Sequence, residues 1–191
     1  MMEIASILKS SKIKFLSILD FPQIPEIIED GTTFAENAQK KASVISRLTG
    51  HLAIADDSGL CVEALQGKPG IFSSRFAGEN ANDAERCQQL LSQLEGIPLD
   101  QRKAIFICAI AIASPEGKME VVEGKCSGLI SLYPRGTHGF GFDPIFFLPK
   151  LGKTMAELSP EEKNKISHRS RALRKIKKIL PAFLTSSCQN K

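Results

Sequence analysis

The chain has 191 residues, 42% of them hydrophobic and 24% charged, which is an ordinary globular composition with enough apolar content for one domain or two closely joined lobes. A net charge of +4 is too small to argue for nucleic acid, although a cleft lined with positive charge can still attract an anionic substrate. The most apolar run, Ala104 to Ala113, is far shorter than the ~20 residues that span a bilayer, and no signal-peptide pattern opens the chain, so a cytoplasmic protein without a membrane role is expected.

Met2 to Leu8 places Ile4, Ile7 and Leu8 at helical spacing, with no capping residue ahead. Lys12 to Leu19 alternates and is rich in Ile and Phe, which predicts a strand ending in the proline-containing stretch Phe21 to Pro25. An acidic loop from Glu26 to Gly31 follows. Thr33 with Glu36 three residues on is a capping-box spacing, and it opens a helix to about Leu48 with Ala35, Ala38, Ala42 and Ile45 on its apolar face.

Leu52 to Ala55 reads as a short buried strand, so Asp56 and Asp57 are expected where the strand ends and Gly59 turns the backbone. In open α/β sheets ligands bind at that end of a strand. A carboxylate there can hold a hard divalent cation or take a proton from an attacking water. Asp-Asp-Ser-Gly is also ordinary turn chemistry, and the residues alone leave both readings open.

Leu60 to Leu65 is apolar and runs into the turn Gly67 to Gly70, and Ser73 to Gly78 reads as loop. Asn82 and Glu85 repeat the capping-box spacing before a helix with Cys87, Leu90, Leu91 and Leu94 inward, closed by Gly96 and Pro98. Arg102 to Ala113 predicts a central strand, joined through Ser114 to Gly117 to a second strand from Met119 to Lys125. Ser127 to Leu132 can continue the sheet.

The loop Arg135 to Pro144 is rich in glycine, with Gly139, Gly141, Phe140, Phe142 and Asp143 close together. Such a backbone can pass near a flat ligand while rings pack on it, or it can simply bend into the strand Ile145 to Leu148. It lacks the strand-then-helix setting of a dinucleotide fingerprint.

Ser159, Pro160 and Glu162 open a helix that carries Lys163. Past Ser167-His168-Arg169, the positions Ala172, Leu173, Ile176, Ile179 and Leu180 keep an amphipathic period. His168 beside Arg169 suits hydrogen bonding to a base edge or a phosphate, or marks a capped junction between two helices. Arg171, Arg174, Lys175, Lys177 and Lys178 read as a solvated face in preference to a nucleic-acid patch. The residues from Thr185 to Lys191 read as a frayed tail. The five cysteines are odd in number and widely spread, which suggests reduced thiols.

Taken together, Thr33 to Ala38 with Lys41, Ile54 to Leu60, Gly139 to Phe146, and Ser167-His168-Arg169 resemble the inosine triphosphate pyrophosphatase family in order and spacing, over about Glu3 to Leu180. The resemblance implies one domain over residues 1–184. Its expected fold is an elongated, two-lobed α/β fold with a long mixed twisted β-sheet flanked by helices, a substrate cleft between the lobes, and pairing as a homodimer. It implies Mg²⁺-dependent cleavage of ITP, dITP and XTP to the monophosphate and pyrophosphate, cleansing the nucleotide pool. By motif, Asp57 is expected to accept the water proton and bind Mg²⁺, with Glu29 as a second metal ligand. Ser58, Phe140, Gly141, Phe142, Asp143, Lys163, His168 and Arg169 are expected to hold or read the nucleotide, and Lys41 to reach the phosphates.

The family pattern opens with a strand ending in Thr-x-Asn-x-x-Lys, and Met1 falls just after the position expected for that lysine. The expectation is a natural chain that begins upstream. The alternative is a degenerate member that binds nucleotide with little catalysis.

Overall fold

The computed structural model describes residues 13–184. The helix expected over Met2 to Leu8 and the tail Thr185 to Lys191 lie outside the described residues. Among the described residues four α-helices, α1 (Phe34–Thr49), α2 (Asp83–Gln93), α3 (Pro160–Ile166) and α4 (His168–Leu184), accompany five strands. The strands are β1 (Ala53–Val62), β2 (Lys103–Ala113), β3 (Met119–Ile130), β4 (Phe146–Leu148) and β5 (Lys153–Thr154), in one sheet of order β1-β2-β3-β4-β5. The α/β class and the helix-flanked sheet are therefore as expected.

Strand β2 is buried throughout from Cys108 to Ala113, which fits its place between β1 and β3. It returns through a turn in which Ser114 N–H donates to the Lys118 carbonyl at 2.8 Å. β3 runs unbroken to Ile130, joining the two segments expected around Cys126. There it pairs antiparallel with β4, Leu129 opposite Phe147, and β4 pairs antiparallel with β5.

Two compact units make up the chain. Among described residues the first comprises 13–57, 108–124 and 169–184, and the second 58–107 and 125–168. The core of the first is Cys108, Ile110 and Ile112 of β2 with Ala172, Leu173, Ile176, Leu180 and Phe183 of α4, the period read from the sequence except that Ile179 is only partly buried and Phe183 joins. Leu60, Val62, Leu90, Leu94, Phe106, Ile130, Phe146 and Met155 centre the second. Within it, Arg102 is 5% exposed and donates to the carbonyls of Leu94, Ile97 and Ser131. One guanidinium thus bonds three carbonyls at once, that of Leu94 shared with the Ile97 N–H.

Three expectations are corrected. The segment from Ile13 to Ser17 is not a strand: its side chains alternate, with Ile13 and Phe15 packed on the first core, but it belongs to no ladder of the sheet. Alternation gives a half-buried extended chain, and a strand needs a partner's hydrogen bonds as well. The aspartates do not end β1. The strand continues through Asp56, Asp57, Ser58 and Gly59 to Val62, so turn-forming residues here sit inside a ladder. Likewise Gly70–Arg75, expected as loop in part, is a 3-10 helix whose Ser73 hydroxyl accepts the Leu60 N–H.

Candidate active site

In the first unit the site is built on β1 and α1. Because successive strand residues point to opposite faces, Asp56 and Asp57 take different partners. Asp57 Oδ2 accepts from Asn37 Nδ2 at 3.0 Å, and its Oδ1 lies 3.7 Å from Lys41 Nζ. Asn37 and Lys41 are four residues apart on α1 and share a face. Asn37 is 1% exposed, and its Oδ1 accepts the Gly31 N–H at 2.8 Å, which fixes which end of the amide meets Asp57. Gly31 must be glycine for this, since a Cβ would lie 2.6 Å from Asn37 Oδ1.

The α1 start is tied down by Thr33, whose Oγ1 accepts the Glu36 N–H at 3.1 Å. Glu36 reaches one residue further back than a capping box requires, bonding the N–H and hydroxyl of Thr32. Those bonds hold its carboxyl below the usual range. Lys40 does the same for Asp30 at 2.6 Å, anchoring the acidic loop. Glu29, in that loop, accepts from Lys41 Nζ at 3.0 Å.

Asp57 and Glu29 thus converge on one ammonium. Among the described residues no group of three or more His, Cys, Asp or Glu side chains is placed to hold a metal ion. Two hard oxygen donors aimed at one cation position nevertheless fit Mg²⁺, which commonly binds one or two carboxylates and completes its shell with substrate phosphates and water. Asp56 Oδ2 receives both Nε and Nη2 of Arg169, at 3.1 and 2.9 Å. Arg169 is the second residue of α4, directly after His168.

The second unit carries the glycine loop. Gly139 (φ +84°) and Gly141 (φ +61°) both adopt the left-handed conformation that glycine tolerates. Asp143 is 2% exposed; its Oδ2 accepts the Phe140 N–H at 3.0 Å and a short bond from Lys163 Nζ. Lys163, on α3, also lies over the Phe140 ring, 4.7 Å from its centroid. Ser159 and Glu162 form the expected capping box that starts α3. Phe140 is 57% exposed, whereas Phe142 is buried and meets Phe76 edge-on at 6.2 Å. The ring open to a ligand is that of Phe140, and Phe142 anchors the loop. His168 is 7% exposed and stacks on Phe106 at 4.7 Å and 14°. Ser58 follows Asp57 along β1.

The structure therefore brings together Asp57, Glu29 and Lys41 in one unit, and Phe140, Gly141, Asp143 and Lys163 in the other. Asn37 and Asp83 were not singled out from sequence. The signal for Asn37 was present: it is a polar residue four positions before Lys41, on the face that also carries Ala38.

The Ham1 family pattern matches residues 1–179. The chain belongs to the Ham1 family. A dITP/XTP pyrophosphatase of Geobacter sulfurreducens is 54% identical over 175 residues, covering 92% of this chain and 88% of that protein. One from Geobacillus kaustophilus is 52% identical over 174 residues, covering 91% and 85%. Among solved structures, a HAM1 protein from Coxiella burnetii superposes with a TM-score of 0.88 at 44% identity, covering 95% of this chain and 92% of that one. A nucleoside-triphosphatase described as a dITP/XTP pyrophosphatase from Mycobacterium abscessus gives 0.77 at 43%, covering 92% of each. For this Ham1 chain the family resemblance and the α/β fold read from the motifs hold.

Proposed function

We propose that this chain hydrolyses dITP, ITP and XTP between the α and β phosphates, releasing the monophosphate and pyrophosphate and so clearing deaminated purines from the nucleotide pool. The observation that carries the reading is Asp57, a carboxylate held on β1 by the Asn37 amide and Lys41, in a chain half identical to dITP/XTP pyrophosphatases.

In this reading Asp57 takes a proton from the water whose oxygen attacks the α phosphorus, and pyrophosphate leaves opposite the attack. Asn37 and Lys41 keep the carboxylate aimed, and Lys41 offsets charge on the phosphates. Asp57 and Glu29 are the residues that would hold Mg²⁺; when bound, the ion neutralises phosphate charge. Ser58 donates to the substrate. The exposed Phe140 ring stacks on the purine, while Gly141 and the buried Phe142 shape the turn beneath it. Asp143 holds Lys163 over that ring, and His168 and Arg169 are donors for the 6-oxo group and phosphate. Adenine would meet those donors with an amino group, a mismatch costing roughly 1–3 kcal/mol, or tenfold to a hundredfold in rate.

Cytoplasmic location and a homodimer belong to the same proposal. Cys61, Cys87, Cys108 and Cys126 are thiols and form no disulfide, which suits a reducing compartment. Among described residues no helix is long and apolar enough to cross a membrane.

The test is pyrophosphate release from dITP with and without Mg²⁺. Release that needs the metal and is absent with dATP is the expected result. Binding of dITP with no release would overturn the hydrolase in favour of a nucleotide-binding protein.

A further inference from the structure

The glycine loop is gripped from outside as well as from within. Asp83 and Cys87 stand four residues apart on α2 and so share one face of the helix. Asp83 Oδ2 accepts the Gly141 N–H at 2.6 Å, and Cys87 Sγ donates to the Gly141 carbonyl at 3.4 Å. Both polar backbone groups of one left-handed residue therefore end on a single helix face. Arg86 Nη1 bonds the other Asp83 oxygen at 2.7 Å. Arg86 Nε is buried without a hydrogen-bond partner, so holding this guanidinium against Asp83 carries a cost that a solvated surface pair would not.

We infer that Asp83 is a positioning residue for purine recognition: by accepting the Gly141 N–H, with Arg86 steadying its carboxylate, it sets the turn that presents Phe140 to the base and keeps Asp143 on Lys163. The inference rests on the function proposed above. Its physical content is preorganisation. The backbone between Phe140 and Asp143 is short, so releasing Gly141 frees both the stacking ring and the carboxylate that holds Lys163.

An acid in the first turn of a helix is also favourable to the helix dipole, a purely structural role. Asp83→Asn separates the two, because it keeps an oxygen that can accept from Gly141 and removes the charge. Calorimetric binding of IMP against AMP needs no turnover. Asp83→Ala is expected to weaken IMP about tenfold while AMP changes little, and Asp83→Asn to stay within about twofold of the parent. Asp83→Ser, a good helix-start residue too short to reach Gly141, replaces the alanine variant should that one not fold. Parent-like selectivity in the alanine or serine variant, or equal losses in Asp83→Asn and Asp83→Ala, would overturn the inference. Pyrophosphate release from dITP by the parent is measured alongside. A parent that prefers IMP but releases none overturns the hydrolase and leaves the positioning role standing. A parent that binds IMP and AMP alike overturns the positioning role even where pyrophosphate is released.

Discussion

The carboxylate site of the first unit and the glycine loop of the second are stabilised by different means. Around Asp57 the links run from side chain to side chain: Asn37 and Lys41 reach it, and Lys41 also reaches Glu29. Around Gly141 they run mostly to backbone: Asp143 takes the Phe140 N–H, Asp83 the Gly141 N–H, and Cys87 bonds the Gly141 carbonyl. A site made of side chains can lose one reactive group and keep its shape. A site made of backbone geometry loses its shape first. Substitutions in the first should therefore act on kcat, and those in the second on KM and on the choice of base.

The largest effect is expected for Asp57→Asn. The amide is isosteric and can still meet Asn37 or Lys41 through its oxygen, but it cannot take a proton. Loss of a positioned general base costs typically 10²–10⁴-fold, so kcat for dITP should fall by about a thousandfold with the thermal midpoint nearly unchanged. A fall in the midpoint as large as that of a core substitution would break the comparison, because Asp57 would then be holding the fold.

Next come two glycines two residues apart. A Cβ on Gly139 would overlap Asp143 Oδ2 and lie 3.1 Å from Lys163 Nζ, and the buried Asp143 has nowhere to go without dropping the Phe140 N–H. On Gly141 a Cβ would meet nothing within 4 Å, leaving only the strain of φ +61°, about 1–2 kcal/mol. Gly139→Ala should raise KM for dITP about a hundredfold and Gly141→Ala about tenfold, each with little change in kcat. Equal effects from the two would mean that strain alone, and not the Asp143–Lys163 contact, governs the loop.

How legible these sites were follows from the same contrast. The cap at Ser159, the capping box at Asn82 and Glu85, and the inward positions of α4 could be read because each depends on neighbours within a turn of helix. The Asp57 cluster was half legible: its carboxylate and lysine stood out by type, whereas Asn37 needed the strand and helix to be facing before it had a meaning. Asp83 was illegible as a loop contact, because as the residue after an N-cap it already had a complete local explanation, and Gly141 lies 58 residues away. The ladder through Asp56 to Gly59 was misread for the opposite reason, since local turn preference is overridden once neighbouring strands supply hydrogen bonds.

A smaller effect should come from Asn37→Ala, about tenfold in kcat, because Lys41 still faces Asp57 while the aim of the carboxylate loosens. Kinetics of the alanine variant beside Asn37→Asp sharpens this. The added carboxylate repels Asp57, so it should cost more than the alanine; a milder effect would mean that the Asn37 amide matters only for volume.

The smallest concerns Cys87, whose thiol is pushed up from 9.0 to about 12 by burial first and then by the carboxylates of Asp83 and Asp143, against the opposing pull of Arg86. The folded state keeps the proton over a range in which the unfolded chain releases it. Stability from this group is therefore complete below about pH 9 and is lost as pH rises towards about 12, by at most ~1.4 kcal/mol per pH unit. Cys87→Ala, which cannot titrate, should be less stable than the parent at pH 8, with the gap narrowing as denaturation is followed from pH 9 to 11. Because the same S–H bonds the Gly141 carbonyl, Cys87→Ala should also weaken dITP binding, and by less than Asp83→Ala, since an S–H is a weak donor and the Asp83 carboxylate a strong acceptor. Parallel stability curves would show that the thiol ionises alike in both states, and would remove Cys87 from the set of contacts that hold the loop.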